Sequence, residues 1–408
     1  MGPKATKRRL FYCNSKTKLC YTFLKSFYEH PQSVVGLCSN LLLEGEMTEY
    51  FIREMPAGVS GKYNARGKAR EDMERILVDE HILPVDIQPL EGNREHLSVG
   101  GKLRAHLELA GRWRDTLSTL QADDILFIQF PVVNHTISFG RIIADAVSRG
   151  VKIVLIIHDI DYLRYINNSS FSSSMRINRE EVLALKNCSC AIVHNNSMRD
   201  TLLQHGVIQA DRVIVLGLFD YLLPRAPEVF GKRGLELPVA IAGNLTRFKA
   251  AYLYQLPDQQ SFALYGAGYE GDPRPNIEYK GAFLPDEIPQ DFDASFGLVW
   301  DGDSTSTCSG EFGSYLRINN PHKASLYLAI GLPVIVWQES ALAPLVVDRG
   351  VGMCVSSIDS IPDRISELTA SSYRSMCDNA KAIACDLRCG RFTHTALAEA
   401  RNHCCSQQ

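Results

Sequence analysis

The sequence predicts an α/β protein built of two doubly wound units that face each other across a cleft. Three observations carry this. The chain has 408 residues, too many for one typical domain and enough for two of roughly 150–200 each. Short continuous runs rich in Val and Ile alternate with helical segments, as a parallel sheet covered on both faces requires. The alternation lapses in a Pro/Gly-bearing stretch at 223–236 and then restarts, which marks a linker. Composition agrees with a folded chain: 45% of residues are hydrophobic and 22% charged, ordinary for a globular protein. Lys+Arg 43 against Asp+Glu 46 leaves a net charge of −3, so no basic field points to nucleic acid or an anionic membrane.

The elements follow in order. Residues 1–46 mix Cys, Lys and aromatics without a period and read as an extension or a misassigned start. The first domain, 47–222, opens with the strand TEYFIREMP, a glycine-bearing loop AGVSGKYNARG and a helix with Met73, Ile76 and Leu77 on one face. ILPVDIQPL is a strand, Leu103–Leu120 an amphipathic helix, DILFIQFP a buried strand and Ile137–Arg149 a helix. VKIVLIIHDID, CAIVHN and RVIVLGLF are further strands, with the helix Ser197–His205 between the last two. In the second domain, 237–387, the strands are PVAIAGNL, SFALYGAG, IEYKGAF, SFGLVWDG and LPVIVW. Its helices are His322–Ile330 and one from Ile361 to about Leu387, and residues 388–408 form a tail.

The longest pure apolar runs fall far short of the roughly 20 residues of a spanning helix, and lysines occupy the place of a signal peptide's apolar core. A cytoplasmic protein is expected, so its twelve cysteines read as free thiols. A zinc site from Cys385, Cys389, His394, His403, Cys404 and Cys405 lacks a C-x2-C pair, and no metal ligands are assigned. No cofactor is expected either.

Chemistry concentrates at strand ends. Asn320, His322, Lys323 and Ser325 open a helix behind Pro321, where free amides and positive potential suit a diphosphate; simple capping beside a solvated Lys is the alternative. Gly243 and Asn244 end a strand, and Arg247 follows with a planar fork suited to phosphate oxygens. Tyr265, Gly266 and Gly268 end another strand and are candidates for lining a base or ribose pocket. In the first domain Asp159 and His158 end VKIVLII and are candidate general bases, or else a turn cap and a buried histidine. Asp301-Gly302-Asp303 reads mainly as a turn. G-x4-G-K-[ST], H-E-x-x-H and G-x-S-x-G are all absent, which removes the best support for the common NTPase, zinc-protease and hydrolase readings.

Taken together, IREMPAG…KAREDMERIL, ILFIQFP, VLIIHDIDYLR, AIVHNNSM, IAGNL, FGLVWDGDS and NNPHKASLYLAIGLPVIV resemble a bacterial sugar-transferase family. It includes the accessory glucosyltransferases of streptococcal serine-rich adhesins and the β-1,6-galactofuranosyltransferases of O-antigen synthesis. The resemblance spans approximately Met47 to Cys385 and implies a GT-B fold of two Rossmann-like domains, with a tail that crosses back to the first. It implies that the second domain holds a UDP-sugar and the first a glycan or glycoprotein acceptor. Arg247 then resembles the diphosphate-binding arginine, and His322, Lys323 and Ser325 the diphosphate and ribose contacts. By the same resemblance, Tyr265–Gly268 is expected beside the uracil, and Ser60, Gly61 and Lys62 are expected to close over the donor.

The expected activity is transfer of a glucosyl, galactosyl or galactofuranosyl group in cell-surface polysaccharide or glycoprotein synthesis. A metal is unnecessary where cationic groups neutralise the leaving diphosphate. The E-x7-E pair of many retaining enzymes is missing, since eight residues beyond Glu339 stands Val347, which favours inversion. The alternative is a catalytically silent nucleotide-sugar-binding partner in a glycosylation complex. An NAD-dependent epimerase is disfavoured because G-x-G-x-x-G is absent. Self-association is compatible with the resemblance. The stretch Ser304–Arg317 and residues 1–46 depart from the family pattern.

Overall fold

The structure is a computed structural model that describes residues 47–54, 65–90, 97–164, 176–223 and 230–406. The extension 1–46, the glycine-bearing loop after the first strand and part of the linker, 224–229, lie outside the described residues.

Two six-stranded sheets carry the fold, and every strand pair in them is parallel. The first contains β1 (Glu49–Glu54), β2 (Leu83–Ile87), β3 (Ile125–Phe130), β4 (Lys152–Ile157), β5 (Cys190–Val193) and β6 (Val213–Val215), in the order β2-β1-β3-β4-β5-β6. The second contains β7 (Val239–Asn244), β8 (Phe262–Ala267), β9 (Ile277–Gly281), β10 (Gly297–Val299), β11 (Val334–Trp337) and β12 (Gly352–Val355), in the order β12-β11-β10-β7-β8-β9. Strand order reverses between β1 and β3 in one sheet and between β7 and β10 in the other. Such reversals open a crevice beyond the carboxyl ends of the strands, where open α/β sheets bind ligands.

The apolar runs are continuous because both faces of each sheet are buried. In β4, Ile153, Leu155 and Ile157 face one core cluster, whereas Val154 and Ile156 face another. In β7, Ala240 and Ala242 divide likewise from Val239 and Ile241. Most expected helices form within a few residues of their predicted ends. The expected helix from Ile361 to about Leu387 is instead two, Ile361–Ser366 and Ala370–Arg388. The second starts afresh because Thr369 and Ser372 form a reciprocal cap. The elements not foreseen include the helices Gly310–Tyr315 and Ala343–Arg349, the short helices Asp161–Arg164, Leu183–Asn187 and Arg247–Ala250, and the strand β12.

The tail does cross back. Gly390, with φ +76°, breaks the chain after Arg388, and the helix Arg391–Cys405 lies against the first sheet. Only a glycine suits that turn, because a Cβ there would also meet the Ile76 side chain at 3.0 Å. Ala396, Leu397, Ala400 and Cys404 join the cluster of Val154 and Ile156. Arg401 pairs with Glu49 at 2.7 Å and Glu80 at 2.9 Å. Of the expected linker, Leu223 and Phe230 are buried in the second domain's core. Among the described residues no helix is long and apolar enough to cross a membrane.

Candidate functional site

The reversal point of the second sheet is where its polar loops meet. Gly243 and Asn244 end β7 and are exposed, as is Arg247 just beyond them. Asn244 accepts hydrogen bonds from the Thr246 amide (3.0 Å) and hydroxyl (2.7 Å), which turns the chain into the helix Arg247–Ala250. The Arg247 guanidinium lies over the Tyr254 ring at 4.4 Å, which braces it at the surface. The loop after β10 is tied to this segment, since the Gly302 amide donates to the Lys249 carbonyl at 3.1 Å. Lys323 completes the group. Its ammonium donates to the Trp300 carbonyl and to Asp301, both at 2.8 Å. Burial pushes that ammonium below the usual lysine range, against the pull of Asp301. Asp301 is therefore the partner of Lys323, consistent with its reading as a turn residue.

Several expected donor contacts have other occupations. Tyr265 is 3% exposed and stacks on Phe292 at 4.1 Å in the core, so of that strand end Ala267 and Gly268 come closest to solvent. Gly266 is required by the backbone: a Cβ there would lie 1.8 Å from the Gly243 carbonyl oxygen. Gly243, by contrast, has open space where its Cβ would stand, room for a ligand's close approach. Ser325 is buried in the helix His322–Ala329.

Asn320 is a seam between the domains. Its amide donates to His194 Nδ1 at 3.1 Å, its side-chain oxygen accepts from Asn195 Nδ2 at 2.8 Å, and its side-chain nitrogen donates to the Gly217 carbonyl. His322 packs in the same seam, stacked on Tyr221 at 5.0 Å. Burial pushes the His194 and His322 imidazoles down to about 4. Both rings are thus neutral at pH 7, and His322 brings no charge to a diphosphate.

The first domain's candidates converge on this seam. His158 Nε2 lies 2.7 Å from Gln129 Oε1, and its ring stacks on Phe219 at 5.1 Å; His322 meets the same Phe219 at 6.2 Å. Asp159 pairs with Arg164 and receives the Ile160 amide at 3.0 Å. The unforeseen helix Gly310–Tyr315 reaches across the cleft here. The Tyr315 hydroxyl accepts the Ile160 amide at 3.2 Å, and Arg164 lies 4.9 Å from the Tyr315 ring and 5.8 Å from that of Phe312. The departing stretch Ser304–Arg317 therefore contributes a wall of the cleft beside Asp159. Ser60, Gly61 and Lys62 lie outside the described residues.

Two features escaped sequence reasoning. Glu54 ends β1 at the first sheet's reversal point, and its two carboxylate oxygens accept the Val133 and Asn134 amides at 2.7 and 2.6 Å. Beyond β3 lies a cavity of about 320 Å³ lined by residues that include Phe130, Asp161, Arg176, Glu180 and Glu181. Burial pushes Glu181 up to about 8. In sequence an adjacent Glu pair looks like a solvated helix face; only its strand-end position in Glu54 offered a signal.

Comparison with known proteins agrees with this architecture. Residues 50–218 match a family model described as the N-terminal domain of glucosyltransferase 3-like proteins, and residues 239–400 match the corresponding C-terminal domain. The chain is 32% identical to the β-1,6-galactofuranosyltransferase WbbI of Escherichia coli K12 over 357 residues, 86% of this chain and 97% of that protein. It is 25% identical to glucosyltransferase 3 of Streptococcus gordonii over 72% of this chain and 84% of that one. Among solved structures, a trehalose 6-phosphate synthase from Burkholderia multivorans aligns with a TM-score of 0.57 at 9% identity, covering 89% of this chain and 98% of that one. An α-glucosyltransferase solved with UDP and DNA aligns with a TM-score of 0.52 at 14% identity, over 88% and 100%. Two parallel-sheet domains meeting at their strand ends, and a last helix that returns to the first, form the GT-B fold; the chain belongs to the glucosyltransferase 3-like family and is a hexosyltransferase.

Proposed function

We propose that the enzyme transfers a glucosyl, galactosyl or galactofuranosyl group from a UDP-sugar to a hydroxyl of a glycan or glycoprotein acceptor. The setting is cell-surface polysaccharide or glycoprotein synthesis, and the transfer inverts the anomeric centre without a metal at the diphosphate. One observation carries this reading: Gly243, Arg247, Lys323 and the start of the helix His322–Ala329 converge at the reversal point of the second sheet. As the glycosidic bond breaks, negative charge grows on the leaving diphosphate. Arg247, Lys323 and the helix amides answer that charge from fixed positions. Asp159 accepts the proton of the acceptor hydroxyl. Burial pushes Glu181 up to about 8, so it is unsuited to that role.

Calorimetric titration with UDP, UDP-glucose and UDP-galactose tests the donor site. Tight binding that Arg247→Ala weakens at least tenfold, with circular dichroism unchanged, supports it; equal binding by the variant refutes the site. The silent-partner reading has one observation in its favour, the engagement of Asp159 by both Arg164 and the Ile160 amide. A UDP-release assay over an acceptor panel separates the two. Turnover that Asp159→Asn lowers at least a hundredfold, within the range for general-base loss, supports the enzyme's proposed base.

A further inference from the structure

We infer that the first domain holds a zinc-class divalent ion between His106, His135 and Glu180, separate from the diphosphate and independent of the donor reading. The three come from distant segments. His106 sits on the helix Val99–Ser118, His135 on the loop after β3, and Glu180 in a π-helical turn, Asn178–Val182. One ligand atom from each lies within 4.8 Å of the other two. His135 Nδ1 is 3.4 Å from Glu180 Oε1. Two ligands of a tetrahedral zinc at about 2.0–2.1 Å stand about 3.3–3.4 Å apart, so this pair already has the spacing of one edge. The two imidazoles meet edge to face at 5.6 Å, and a movement on the order of an ångström brings His106 to the same distance.

The surroundings resemble an outer shell. The other Glu180 oxygen accepts from Arg176 at 3.0 Å, which orients the carboxylate and leaves Oε1 toward His135. Arg176 is itself neutralised by Asp161 at 3.1 Å, so its charge does not oppose a cation unbalanced. The Thr136 hydroxyl donates to the His106 carbonyl at 2.8 Å and fastens the loop to the helix. π-Helical turns are rare and gather at functional sites. Finally, His135 and Glu180 border the cavity of about 320 Å³, so the fourth position faces a space that admits water. Three protein ligands and one water is the arrangement of an open zinc site.

The test uses the full chain, stripped with EDTA and dialysed. Zinc is titrated against a chelating chromophore, and cobalt(II) is added as a spectroscopic probe. The inference expects one ion per chain and the intense visible bands of tetrahedral cobalt with nitrogen and oxygen ligands. His106→Ala and His135→Ala should each lower affinity at least tenfold and abolish those bands, and the conservative Glu180→Gln should weaken binding by about tenfold. Circular dichroism spectra and unfolding midpoints like those of the wild type show that the variants are folded. A folded wild-type chain that binds no ion overturns the inference. So does zinc held equally by the His106→Ala/His135→Ala double variant, or a thiolate-to-cobalt band, which assigns the metal to cysteines. None of these outcomes bears on the donor site, which Arg247→Ala tests separately.

Discussion

At the scale of single residues, burial sets the ionisation of Glu181. Glu181 lies beside a cavity with its Oε2 accepting the Tyr162 amide at 2.9 Å, yet burial pushes it up to about 8. An acid raised in this way binds its proton more tightly folded than unfolded. It therefore costs stability progressively as pH rises from about 4.5 to about 8, and fully above that. Gln keeps the acceptor for Tyr162 without the charge. Glu181→Gln is accordingly expected to stabilise the protein by about 2 kcal/mol more at pH 9 than at pH 6, as read from urea denaturation at the two values; an equal effect at both would refute the raised pKa. Motifs name residue types well and their environments poorly. Arg247 and Gly243 stand exposed at a strand end as their types suggested. Tyr265 and Asn320 do not face solvent, because a phenol ring and an amide are equally at home in a core stack or a buried hydrogen-bonded seam.

At the scale of elements, the terminal helix Arg391–Cys405 covers one face of the first sheet, although in sequence it follows the second domain. Leu397 is wholly buried there. Leu397→Ala is expected to destabilise the protein by about 2–5 kcal/mol, the range for emptying a core leucine site, measured by chemical denaturation. A loss below about 1 kcal/mol would show that this helix is not part of the cooperative unit. Elements with both faces buried were legible because their composition is one-sided over four to six residues, as in β3, β4 and β11. The helix Gly310–Tyr315 was not. Its Ser/Gly-rich sequence carries little periodicity, and contacts to Asp159, Arg164 and Ile160 across the cleft hold its aromatics.

For the molecule as a whole, a buried charge cluster joins the domains. The Lys68 ammonium, on the helix Ala65–Asp79, donates to Asp72 at 2.7 Å, to the Leu222 carbonyl at 2.8 Å, and to Asp286 of the second domain. Lys68 and Asp72 are almost fully buried, whereas Asp286 is 43% exposed. Removing the lysine leaves the buried Asp72 carboxylate with the Leu222 amide at 3.0 Å and Arg75 at 3.5 Å. Lys68→Met is thus expected to cost about 3–5 kcal/mol, and Asp286→Asn about 1 kcal/mol or less because solvent screens it. Equal losses in thermal and urea denaturation would contradict this division.

The sequence by itself determined that the chain is two doubly wound α/β units, where most strands lie, and that the strand-end loops bearing Gly243, Arg247 and Lys323 belong to the second. Those properties are local: strand composition, helix periodicity and turn chemistry act over a few residues. Only the tertiary structure decided that β7 and β10 flank the reversal point, that Lys323 is paired with Asp301, and that Asn320 and His322 build the seam. It also decided that His106, His135 and Glu180 meet. Each of these depends on residues tens to more than a hundred positions apart, whose proximity follows from strand order and burial, and no local pattern records either.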